Sequence, residues 1–199
     1  LGGEGEWLAD RIVAFDLTPD RVKTELAKTN LSTKEQAFQT ILKNRVNRGG
    51  ILAPGAGLVK HGENGKGLAS RWYPETLYKR IRNIAAIRDR FTFIEGDGIE
   101  VLKQNASGRD TVSFIDPPYT AGSKKAGRRL YLHSELDHEA LFQVGSQLAG
   151  DFLMTYSNDK AVKSLAAKYL LSTKEIAMKN THHAKMTELL IGRDLSWDS

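Results

Sequence analysis

The sequence predicts an α/β protein built on an open, doubly wound, mainly parallel sheet, and three observations carry that expectation. Short apolar runs, IVAF (12–15), FTFI (91–94), TVSFI (111–115) and FLMTYS (152–157), each end in a polar or turn-forming residue and read as buried strands. Between the third and fourth, ELDHEALFQVGSQLAG (135–150) spaces Leu136, Leu141, Phe142 and Leu148 helically before Gly150, so that strand and helix alternate as in parallel crossover units. Finally, EIAM (175–178) and TELLIG (187–192) flank the polar turn KNTHHAK and read as a terminal antiparallel hairpin.

Taken in order, the N-terminal LGGEGEWLAD is acidic and has no signal-peptide core. The first strand, 12–15, leads to Asp16. From about Thr29 to Tyr73 the rhythm breaks. STKEQAFQTILKNR has a helical pattern, and GGILAPGAGLVKHGENGKGLASRWYP is too rich in glycine and proline for a long helix or a central strand. YPETLYKRIRNIAAIRDR then resumes helix near Pro74. The predicted organisation is a main domain of residues 1–28 and 91–199 interrupted by an insertion over 29–90. A loop this long inside a domain has a task or is disordered.

Apolar residues make up 40% and charged residues 27% of the 199, an ordinary globular composition. No run approaches the roughly 18 apolar residues of a membrane span. Cysteine is absent, which excludes disulfides, zinc–thiolate sites and a thiol nucleophile and suits an intracellular setting. The net charge of +5 is regional: eleven Lys/Arg against three acids give +8 between Lys43 and Arg90 and leave −3 elsewhere. Such a basic insert is the electrostatic footprint expected for a phosphate backbone; the plainer reading is a solvated lysine-bearing surface.

The chemistry concentrates in FIDPPYTAG (114–122). Asp116 follows a strand, and ligands of open parallel sheets bind beyond the carboxyl ends of the strands. Pro117 and Pro118 remove two backbone donors and stiffen the turn, leaving carbonyls as acceptors. An amine on an aromatic ring is a weak nucleophile because its lone pair is delocalised. Acceptors on Asp116 and the Pro117 carbonyl would hold its two hydrogens and favour the rehybridised amine, with Tyr119 stacked on the ring. That suits attack on an electrophilic methyl group, by positioning and electrostatics without a covalent enzyme intermediate. A bland strand-ending turn is the alternative.

On these residues the chain resembles the amino-methyltransferases that use S-adenosylmethionine, specifically the Dam-like DNA adenine methyltransferases. The likeness rests on FDLTPD, LKNRVNRGGIL, FIEGDGIEVL, DPPY followed by a basic loop and Tyr131, and the late TELLI strand, in that order. It implies a Rossmann-like methyltransferase sheet with a target-recognition insertion, S-adenosyl-L-methionine as cofactor and double-stranded DNA as partner. It also implies Asp116, Pro117, Pro118 and Tyr119 as the catalytic turn. Asp16 would bind the cofactor ribose, Asp97 would border its adenine, Gly2 and Gly3 would be the remnant of a glycine-containing cofactor loop, and Asp116 would also face the cofactor. Two departures stand out: Gly98 replaces an aromatic residue usual after the second acid, and little precedes Asp16, so the N-terminal part is expected to be truncated. A prokaryotic or phage-encoded cytoplasmic enzyme follows from the likeness. An RNA base methyltransferase and an inactive DNA-binding relative are the alternatives.

Two basic elements would serve the DNA. Arg45, Asn47 and Arg48 lie at the end of a predicted helix, where Arg45 and Arg48 share a face and reach phosphates or a guanine edge. Lys124, Lys125, Arg128 and Arg129 lie just past DPPY and would clamp the strand whose base is flipped, with Tyr131 as wedge or stacking platform. Solvated residues on exposed elements would look the same. No metal is expected: adjacent His182 and His183 have no further ligands to complete a site. GENGKG (62–67) neither follows a strand nor opens a helix and is no phosphate loop. Trp7, Trp72 and Trp197 are read as packing residues.

Overall fold

Ile12 and Phe15 are both buried, at 0% and 8% exposure, whereas Val13 between them is 42% exposed. A strand buries every second residue; an interval of three belongs to a helix. In the computed structural model, which describes residues 2–53, 55–62, 65–118, 136–179 and 185–196, Ile12 and Val13 lie in the last turn of helix α1 (Gly2–Ala14) and Phe15 follows it directly. The strand expected over 12–15 is therefore a helix end. Four apolar letters do not distinguish the two periods, and the deciding residue, buried Ala9, lies one interval upstream.

The chain divides into two units, Leu1–Phe93 and Ile94–Ser199. In the first, Thr18 accepts the Arg21 amide to start α2 (Pro19–Leu26), with Pro19 in its first turn. Glu35 reaches back to the Ser32 amide at 2.9 Å and opens α3 (Thr33–Val46). Helix α4 (Pro74–Ala86) begins on Pro74 and packs along α1. Ile12, Phe15, Val22, Phe38, Leu42, Val46, Trp72 and Leu77 form one core, with the Phe15 and Phe38 rings edge to face at 5.2 Å. Glu25 is buried on α2, but Arg11 (3.2 Å) and Lys28 (2.7 Å) pair with its carboxylate, and Gln39 of α3 donates to its carbonyl. Residues 1–28, expected to belong with 91–199, thus pack with the segment 29–90.

The glycine-rich segment is not structureless. Asn47 and Leu58 form an antiparallel bridge, flanked by bonds from the Arg48 amide to the Gly57 carbonyl (2.9 Å) and from the Val59 amide to the Val46 carbonyl (2.8 Å). The tight turn at its start requires Gly49 and Gly50, whose φ values of 67° and 71° other residues rarely adopt. Arg71 and Asn44 close over Gly50 so tightly that a Cβ there would lie about 3.0 Å from the guanidinium.

Residues 91–94 pair with no strand among the described residues, and Phe93 is 90% exposed. The strand expected at 91–94, directly after the insertion, is therefore not formed among the described residues. In the second unit, Asp97 caps α5 (Gly98–Gln104) through a 2.8 Å bond from the Ile99 amide. Among the described residues four strands form one open sheet in the order β1-β2-β4-β3, comprising β1 (Val112–Ile115), β2 (Asp151–Ser157), β3 (Ser172–Lys179) and β4 (Lys185–Gly192). β1 runs parallel to β2, and β4 runs antiparallel to both β2 and β3. The sheet is mixed α/β, with the expected parallel pair and terminal hairpin.

Helices α6 (His138–Gln147) and α7 (Lys160–Lys168) start on the Asp137 and Asp159 caps. On β2, Phe152, Met154 and Tyr156 are buried and alternate with half-buried Leu153, Thr155 and Ser157. The buried row meets Leu141, Phe142, Val144, Leu189 and Ile191. Gly145 allows α6 to approach closely, since a Cβ there would collide with the Met154 methyl.

Candidate functional site

Parallel pairing sets the register Phe114↔Leu153 and Ile115↔Met154, so the next step brings Asp116 beside Thr155 at the carboxyl ends of β1 and β2. Their side chains meet: the Thr155 hydroxyl donates to Asp116 Oδ1 at 2.6 Å, a short bond to a charged acceptor. Asp116 is exposed, and Pro117 and Pro118 behind it are half-buried. Tyr119 lies outside the described residues. Alternation places Val112, Phe114 and Asp116 in one row, and Val112 and Phe114 are 76% and 68% exposed. The acid thus stands at the tip of β1, the outermost of the sheet's strands among the described residues, at the end of an exposed apolar row.

The opposite face of the same strand end is closed. Tyr156 is fully buried and its hydroxyl lies 3.1 Å from His138 Nδ1 at the start of α6. Burial pushes the His138 ring below the ordinary imidazole range, against the smaller opposing effect of Asp137. Further along the rim the Asn158 amide donates to the Thr187 hydroxyl at 2.9 Å, joining β4 to the end of β2. Thr155, His138, Asn158 and Thr187 were not singled out in the sequence. Thr155 had a readable signal, because the alternation of FLMTYS puts it on the face opposite the buried residues.

The expected cofactor residues fare differently. Asp16 follows α1 and pairs with Arg21 at 3.5 Å, so it does not end a strand. Gly2 and Gly3 lie in the first turn of α1, so they form no loop. Asp97 is exposed, but its Oδ1 caps α5. Asp16 belongs to the first unit and Asp97 and Asp116 to the second.

Among the basic residues, α3 ends at Val46, so Arg45 is in its last turn while Arg48 is in the following turn. They do not share one helix face. Arg48 is exposed and Arg45 half-buried. Asn47 is buried and donates to the Ile51 carbonyl at 2.8 Å, a structural role that the sequence pattern did not separate from base reading. Lys60, Lys66, Lys79, Arg80, Arg88 and Arg90 of the same unit are exposed. Lys124, Lys125, Arg128, Arg129, Tyr131, His182, His183 and Trp197 lie outside the described residues. Trp7 and Trp72 pack on the core of the first unit, as expected.

Among the described residues, no group of His, Asp and Glu is placed to hold a metal ion, and no helix is long and apolar enough to cross a membrane. No known protein family's sequence profile matches the chain, and no curated protein matches it significantly.

Proposed function

We propose that this chain is an S-adenosylmethionine-dependent methyltransferase acting on the exocyclic amine of adenine in double-stranded DNA, with the base flipped into the Asp116–Pro117–Pro118–Tyr119 site. One observation carries the reading: an acid followed by two prolines stands at the carboxyl end of a strand in a parallel pair, with its carboxylate held by a neighbouring hydroxyl. That is where open α/β sheets place their ligands. The terminal hairpin agrees with the Rossmann-like methyltransferase sheet that the sequence resembles. The cofactor supplies an electrophilic methyl group on sulfur.

The chain's own residues act on the amine. The Asp116 carboxylate and the Pro117 carbonyl accept its two hydrogens, which concentrates the lone pair on nitrogen for attack. As the nitrogen acquires positive charge, the carboxylate stabilises it and stands ready for the departing proton. Asp97, exposed and in the same unit as Asp116, fits a polar hydroxyl- or amine-bearing cofactor. Asp16, ion-paired after a helix, and the helical Gly2 and Gly3 do not fit, and the proposal leaves them out. The exposed cations of the first unit supply the phosphate contacts, and Arg45 and Arg48 remain the candidates for base contact. The misfit of Asp16 is what favours the second reading, a DNA-binding relative without activity.

Asp116→Ala separates the two readings. Labelled methyl transfer to duplex DNA by the full chain should fall by about 10²–10³ in the variant, as when one preorganised stabilising group is lost, with DNA affinity unchanged. Transfer within about tenfold of the parent, roughly 1.4 kcal/mol of barrier, removes Asp116 from the chemistry. A parent that binds DNA without transferring methyl groups establishes the second reading.

A further inference from the structure

From the contact at the end of the parallel strands we infer that Thr155 is the positioning residue of the proposed active site: its hydroxyl fixes the Asp116 carboxylate in the orientation that receives the target amine. The inference rests on the methyltransferase reading of Asp116 and adds a residue that the sequence did not single out.

Asp116 follows the last paired residue of β1 and is exposed. A carboxylate in that position, followed by a rigid Pro-Pro turn, has a fixed backbone and a side chain whose orientation depends on the groups it bonds. Thr155 holds one of its two oxygens. It lies across the strand pair on the same face, and its Oγ1 donates to Asp116 Oδ1 at 2.6 Å. The donor is itself immobile, because Thr is β-branched and stiff at χ1, and because Met154 and Tyr156 on either side are both fully buried. One end of the hydrogen bond is therefore carried on a strand whose neighbouring side chains are anchored in the core, and the other sits at the reacting position.

Two consequences follow for the chemistry. The carboxylate plane is set before substrate arrives, which lowers the ordering cost of reaching the attack geometry. A carboxylate has several acceptor sites on its two oxygens, so accepting a hydrogen bond from Thr155 on Oδ1 does not exhaust its capacity to accept from the amine. Loss of the hydroxyl should therefore act on turnover, where orientation counts, and hardly at all on the binding of DNA.

The test compares Thr155→Val, which keeps the branched shape and removes the donor, with Thr155→Ser, which keeps the donor. Methyl transfer to duplex DNA by the full chain is followed under saturating conditions, with KM for DNA and the melting temperature measured on the same samples. The expected result is a kcat lowered by about ten- to a hundredfold in Thr155→Val, the scale of a hydrogen bond to a charged group, with KM within about twofold and kcat largely restored in Thr155→Ser. Should Thr155→Val fail to fold, Thr155→Ala reads the same quantity. A kcat within about twofold of the parent in Thr155→Val, or a loss that Thr155→Ser does not restore, overturns the inference while Asp116→Ala still shows its loss of about 10²–10³. If Asp116→Ala itself retains transfer, the reading of the site has failed, and the inference with it.

Discussion

Replacing Ile12 and Val13 in turn by Ala tests the helix that occupies the place of an expected strand. Ile12 is fully buried among Phe15, Val22 and Phe38, whereas Val13 is 42% exposed. Truncating Ile12 removes three carbons at about 0.8 kcal/mol each, roughly 2.4 kcal/mol. The cavity left behind adds to this, and the better helix propensity of Ala subtracts a few tenths, so the net cost is about 2–4 kcal/mol. Val13→Ala loses little burial and gains propensity, and should lie within about 0.5 kcal/mol of the parent. Urea unfolding followed by tryptophan fluorescence reads the difference, because Trp72 is buried 6.1 Å from the Phe15 ring. With a slope of about 2 kcal/mol per molar, the Ile12→Ala midpoint should drop by roughly 1–2 M. In a strand, Val13 and Phe15 would share a face opposite Ile12. A larger loss for Val13→Ala than for Ile12→Ala would refute the helical assignment and restore Asp16 to a strand end.

Two other predictions concern charge. Arg48→Ala should weaken binding to duplex DNA and reduce the slope of log K against log salt by about one, without changing the melting temperature, if its exposed guanidinium meets a phosphate; a loss confined to the preferred site would instead mark a base contact. His138 is held below the ordinary imidazole range by burial, so as pH falls through the unfolded value of 6.5 the unfolded chain takes up a proton that the folded ring resists. Stability should therefore fall with decreasing pH until the folded ring itself protonates. Melting temperatures between pH 7.5 and 5.5 should show a shallower decline in His138→Gln; an unchanged slope would remove His138 as its source.

Where a segment declared its own boundaries, the sequence was sufficient. The helical pattern STKEQAFQTILKNR marks the start of α3, Pro74 that of α4, and the apolar run FLMTYS the course of β2. The runs around 12–15 and 91–94 carried no such marks, and their outcome depended on partners: the first joined a helical stripe, and the second found no ladder among the described residues. Asp116 was legible because strand, acid and prolines are contiguous. Thr155 lies 39 residues away and becomes its neighbour only through strand register. Asn47 was misleading for a related reason, since a buried asparagine that ties a turn has the same letter as one that reads a base.

The bridged segment that begins at Asn47 bears on how a ligand would be received there. Arg48 stands on a turn set by two left-handed glycines and held at its base by the Asn47–Leu58 bridge, so the backbone beneath its charge is already ordered. Capture of a polyanion at this point would cost the rotamers of one side chain and no loop folding. Calorimetry would then register a small heat-capacity change dominated by ion release, unlike the large negative value of a basic arm that folds as it binds.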